Sequence, residues 1–179
     1  MRHAAGGRCQ PGQAVAVSES TFAELLSPLI DPGFRLALAM LHDAQAAEDA
    51  VQEASFVAWN KVGRMHDRGR LKPWFLGIVA NKCRNARRSK WAAEVHLGVP
   101  EEVSVGSVEE RTLRGADLRR AISRLRHEDR LVVALYFYLD LPLDEVAAVV
   151  GSSAGAARAR LYRAIARLRP GVDIEEALR

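Results

Sequence analysis

The chain is short of cysteine, of aromatic side chains and of long apolar runs. Cys9 and Cys83 are its two cysteines in 179 residues, and five histidines are scattered among them. Neither a disulfide framework nor a zinc site can be assembled from that spacing. The longest apolar run, 131–139, falls far below the roughly 20 residues that cross a bilayer, so membrane insertion is not expected. The N-terminal MRHAAGGRCQPGQ lacks the apolar segment of a secretory leader, which points to a cytoplasmic protein. No stretch alternates apolar and polar residues as a half-buried strand does. An all-α fold follows, with no metal, cofactor or catalytic residue expected.

What is present can build a core: 49% of the residues are hydrophobic and 27% are charged, which excludes a wholly disordered chain. The net charge of +4 is a mild average over segregated blocks. Residues 61–91 carry ten basic side chains against the single acid Asp67, and 151–169 carry five arginines and no acid. Acids gather at Glu48, Asp49 and Glu53, and again over 94–110. Two cationic blocks separated by an acidic stretch suit a polyanion held at two places; two solvated basic faces are the plainer reading.

Helical spacing recurs along the chain. Thr21-x-x-Glu24 resembles a capping box opening a first short helix, and Asp31-Pro32 a start signal for a second. Asp43 caps a third helix reaching about Lys61, with Ala47, Ala50, Val51, Ala54, Val57 and Ala58 on its apolar face. Glu48, Asp49, Gln52 and Glu53 share another face. That face could ligate a divalent cation, stand solvated, or dock a basic partner surface. The Glu-x-x-His pairing of helical carboxylate enzymes is missing from it.

Residues 63–72 read as a basic loop. Pro73 then starts a helix to about Lys90, with Phe75 or Leu76, Ile78, Val79 and Ala86 as core positions. Arg64, Arg68, Arg70 and Lys72 precede Trp74, a combination that suits a single strand, since phosphates need charge and unpaired bases need a stacking surface. Trp74 as a plain core residue is an equal alternative. Asn81, Lys82, Arg84 and Arg88 follow at roughly helical spacing as a polar strip for backbone and base contacts. Residues 92–116 lose the period and read as an acidic linker. Beyond it come an apolar helix over 131–139, a short helix over 143–150, Gly151-Ser152-Ser153, and a last helix from about Ala154 to Arg169. The outline is a helix-turn-helix, whose second helix would present Ser153, Arg158, Arg160 and Arg163 to the major groove.

AEDAVQEASFVAW (47–59), PWFLGIVANKCRNARR (73–88) and the 143–169 hairpin together resemble regions two and four of extracytoplasmic-function sigma factors, small members of the bacterial sigma-seventy family. The resemblance implies a transcription initiation factor of two helical domains. These would be a flexible lead over 1–19, region two over 20–91, the acidic linker over 92–116, region four over 117–170 and a tail over 171–179. It implies that Glu48, Asp49, Gln52 and Glu53 dock on the clamp helices of the largest subunit of core RNA polymerase. Residues 64–88 would open and capture the minus-ten element, and the last helix would read the minus-thirty-five element. An anti-sigma protein would be a further partner. Where the family often carries Gly-Thr-Val-Lys-Ser-Arg, this chain has Gly155-Ala156-Ala157-Arg158-Ala159-Arg160, and Gly77 and Ala80 stand where bulkier or basic residues are frequent. The rivals are a stand-alone helix-turn-helix regulator that does not touch polymerase and a carboxylate-dependent nuclease.

Overall fold

The computed structural model describes residues 18–65, 67–97 and 121–168, with 90–97 as backbone only. Residues 1–17 of the expected lead over 1–19, most of the acidic linker and the stop at Pro170-Gly171 lie outside the described residues. Among the described residues every regular element is helical.

Helix α1 (Glu19–Leu41) begins one turn before the expected capping box, because the Ser18 hydroxyl accepts from the Thr21 amide at 3.3 Å. It also runs unbroken through Pro28 and Pro32, where two helices were expected. The two missing amides leave the carbonyls of Glu24 and Pro28 without donors, and both of those residues are exposed, so water can take over. The buried series Leu26, Leu29, Gly33, Leu36, Ala37 and Met40 continues through the prolines at helical spacing and holds the helix together by packing. Helix α2 (Ala44–Val62) starts where Asp43 accepts from the Ala46 amide at 3.1 Å, as expected.

Asp67 caps a single 3-10 turn, Arg68–Arg70, inside the basic loop. Helix α3 (Leu71–Leu97) follows directly, so Pro73 lies in its first turn rather than at its start, and the helix extends past 91 into the stretch read as linker. Phe75, Leu76, Val79 and Cys83 are buried, whereas Ala86, expected in the core, is exposed. α1, α2 and α3 pack on one another.

Residues 121–123 are helical and lead into α4 (His127–Val133), which opens into a wider π-type turn, Ala134–Tyr138. There the Leu139 amide donates to the Ala134 carbonyl at 3.0 Å. In a regular helix Leu139 would sit about 80° around from Leu131. The wider turn brings it back beneath Leu131 and Leu135, all three buried, while Phe137 and Tyr138 face solvent. Helix α5 (Leu143–Val150) has the expected bounds, and α6 (Ala154–Leu168) starts where expected. Between them Gly151 takes the left-handed conformation (φ 71°) that a non-glycine side chain resists. Val146, Ala147 and Val149 pack with Leu161, Ala164 and Ile165 in the core.

The two halves meet along α3, which packs against α5, and along α1, which packs against α4. Arg130, buried at the centre of that second contact, donates to the carbonyls of Met40 (3.2 Å), Ser123 (2.7 Å) and Leu125 (3.2 Å), and lies 2.7 Å from His42 Nε2.

Candidate nucleic-acid interface

α2 turns Glu48, Asp49, Gln52 and Glu53 to solvent, because Ala47, Ala50, Val51 and Ala54 take the buried arc between them. Phe56 continues the acidic face one turn on and is 71% exposed. Sequence reasoning passed over it, since an exposed phenylalanine cannot be told from a core one by residue type. Glu53 is bridged to Lys82 of α3 at 2.8 Å, a contact at the edge of both helices.

That bridge separates Lys82 from the strip to which it was assigned. At about 100° per residue, Trp74, Gly77, Asn81, Arg84 and Arg88 fall on one side of α3 and Lys82 lies a quarter-turn away. Along the strip the Asn81 side-chain oxygen accepts from Arg84 Nη1 at 2.7 Å, and Asn85 accepts from Arg88 at 2.5 Å. Arg64, Arg68 and Arg70 are exposed in the preceding loop. Trp74 is half-buried in a shallow hollow with Met65, Asp67, Arg70, Pro73 and Ala148. The Lys72 ammonium donates to the Leu139 carbonyl at 3.5 Å.

On α6 the site residues divide. The Ser153 hydroxyl accepts from the Ala156 amide at 3.2 Å and so caps the helix. Ala157, at the valine of the family's run, is buried in the core, whereas Ala156 and Ala159, at its threonine and serine, are exposed and offer no polar group. Arg158 and Arg163 share the exposed arc with Tyr162, which is 44% exposed and was not singled out by sequence. Arg160 turns to the other edge, 3.5 Å from Glu128 at the start of α4, and Arg167 beside it pairs with the neighbouring Asp129.

Glu128 also receives Arg84 of α3 in a two-pronged contact, Nε–Oε1 2.8 Å and Nη2–Oε2 3.0 Å. The hydrogen bond from Arg84 holds the Glu128 carboxyl below its usual range, and the same bond raises the guanidinium pKa. His127 beside it is depressed to about 4, first by burial and then by Arg87. Neither of its ring nitrogens has a hydrogen-bond partner among the described residues. Burial pushes the Cys83 thiol up to about 12, so it is inert as a nucleophile.

The sequence profile of Sigma-70 region 2 matches residues 25–93, and that of Sigma-70, region 4 matches residues 115–168. The chain belongs to the sigma-70 family. This sigma factor is 30% identical to the probable RNA polymerase sigma factor RfaY of Xanthomonas campestris over 94% of its own length and 42% of the relative's. It is 28% identical to the RNA polymerase sigma factor SigV of Bacillus subtilis, covering 76% of this chain and 81% of SigV. Its fold is similar to that of the sigma factor RpoE of Bartonella quintana, solved in complex with the anti-sigma factor NepR. That match has a TM-score of 0.71 at 24% identity and covers 82% of this chain and 93% of RpoE. CnrH, solved with the cytosolic domain of CnrY, matches with a TM-score of 0.63 at 24% identity, over 84% of this chain and 86% of that one. No described helix is long and apolar enough to cross a membrane.

Proposed function

We propose that the chain is a cytoplasmic, extracytoplasmic-function type sigma factor, without catalytic activity of its own, that binds core RNA polymerase through α2 and promoter DNA through α3 and α6. The observation that carries the reading is the division of the surface. An exposed acidic face with Phe56 at its end lies on α2, a basic and aromatic strip on α3, and an arginine–tyrosine arc on α6. An acidic face ending in an exposed aromatic suits a basic partner surface, because charge steers the encounter and a desolvated ring supplies affinity. On the DNA side, Arg64, Arg68, Arg70 and Trp74 would capture the unpaired strand of the minus-ten element, with Asn81, Arg84 and Arg88 along its backbone. Arg158, Arg163 and Tyr162 would meet the minus-thirty-five major groove. Strand opening would then draw on binding alone, flipped bases offsetting a few kcal/mol of lost stacking per step. An anti-sigma partner is supported by the structural relative RpoE, solved in complex with the anti-sigma factor NepR.

The test is charge reversal on α2. Asp49→Lys combined with Glu53→Lys should weaken binding to core polymerase at least tenfold, about 1.4 kcal/mol, while leaving the helical content by circular dichroism unchanged. Undiminished polymerase binding would return the chain to the stand-alone helix-turn-helix reading.

A further inference from the structure

The side of α3 that carries Trp74, Asn81 and Arg84 is also the side that packs against the second half of the molecule. A methyl added at Gly77 would meet the Val149 carbonyl oxygen at 3.9 Å and its Cα at 4.0 Å, so α5 lies directly on this face. Ala148 sits over the Trp74 hollow, and Lys72 is tied to Leu139. No nucleotide fits between the two helices while they are in this arrangement.

The fastening at the open edge of this contact is chemically specific. Glu128 takes the Arg84 guanidinium on two prongs and stands 3.5 Å from Arg160. A carboxylate held on two prongs by a guanidinium offers it the same charge and acceptor geometry as a phosphate. Glu128, Arg84 and Arg160 are 40%, 23% and 37% exposed, so a competing anion can reach the bridge from solvent. From these contacts, and resting on the reading of α3 as a DNA-binding face, we propose that Glu128 is an internal stand-in for promoter phosphate that holds the α3 strip closed against α5.

Closure then lowers the affinity of the free chain for DNA by the fraction of molecules that are open. DNA binds only the open form and must displace the carboxylate. Arg84 and Arg160 lie on different halves and share one acceptor, so losing Glu128 frees both together.

The experiment uses the full chain without polymerase, a fluorescein-labelled single-stranded oligonucleotide read by anisotropy, and small-angle scattering for expansion. Glu128→Gln should tighten oligonucleotide binding about fivefold and raise the radius of gyration. Gly77→Leu, which forces α3 and α5 apart without altering charge, should do the same. Asp144→Asn removes an exposed acid that is not in the bridge and should leave binding within about twofold of wild type, which separates release of the bridge from the general gain of net charge. If Gly77→Leu tightens binding and Glu128→Gln does not, or if Asp144→Asn matches Glu128→Gln, the stand-in is overturned. Arg84→Ala distinguishes the two levels. Weaker binding by Arg84→Ala together with no gain from Glu128→Gln keeps the DNA-binding reading and overturns the stand-in. Expanded variants that bind no better, in which Arg84→Ala has no effect, overturn both.

Discussion

Replacing Arg130 with methionine removes a buried guanidinium and keeps most of its apolar stem. Three carbonyls, those of Met40, Ser123 and Leu125, lose a charged donor, and His42 loses its neighbour at 2.7 Å. Each of the buried Met40 and Leu125 carbonyls that loses this donor costs on the order of 1–3 kcal/mol, and the desolvation that Arg130 itself no longer suffers offsets part of that sum. The net expected loss is about 3 kcal/mol. For a chain of this size a kilocalorie moves the melting temperature by roughly 2–4 °C, so Arg130→Met should melt about 6–12 °C below wild type by differential scanning calorimetry. Arg130→Lys keeps the charge but cannot present a planar fork to several carbonyls at once, and should recover less than half of the loss. A methionine variant within about 1 kcal/mol of wild type would refute the reasoning, since it would mean that water satisfies those carbonyls as well as the guanidinium does.

Gly33 faces Phe75, and a Cβ there would stand 3.0 Å from Phe75 Cε1. The helix-propensity gain of alanine, about 1 kcal/mol, is set against overpacking of a fully buried ring at about 1–3 kcal/mol, so Gly33→Ala should lower the melting temperature by a few degrees; a rise would show that α1 can shift freely. His127 titrates near 4 in the folded chain against a usual 6.5, so the unfolded chain binds the extra proton across that window and stability falls as the pH drops through it. His127→Gln should flatten the dependence of the urea midpoint between those pH values, and an unchanged slope would place the titration elsewhere. Glu128, held below its usual value by Arg84, adds stability at higher pH that is lost as the pH falls through its lowered pKa, and it should leave a residual loss in the glutamine variant at the acid end.

Local chemistry made much of this fold legible from sequence. Asp43 before an alanine-rich period, and Gly151-Ser152-Ser153 between two apolar helices, fix their boundaries because a cap or a left-handed residue acts within one turn. Pro32 misled for the same reason, and Pro28 lies in the same helix. A proline reads locally as a break, whereas the buried series on the opposite side carries α1 through both. Ala86 was misplaced because alanine fits either side of a helix. The assignment of Lys82 failed on phase: adjacent residues on α3 point a quarter-turn apart, and Lys82 faces Glu53. Sequence offered no sign of Glu128, since an acid in the first turn of a helix is ordinary, and its bond to Arg84 spans 44 positions. Gly77 stood out only as a departure from its relatives, and the structure gives it a place, directly beneath Val149.

The rigidity of α3 sets a length as well as a surface. From Trp74 to Arg88 the helix rises about 21 Å at 1.5 Å per residue. A stacked strand lying along that side, at about 3.4 Å per nucleotide, would have about six nucleotides within reach, and a strand pulled taut would have fewer. On the proposed reading the footprint would be counted off along the helix, and lengthening or shortening the strand's stack would change which nucleotide meets Trp74 at one end and Arg88 at the other.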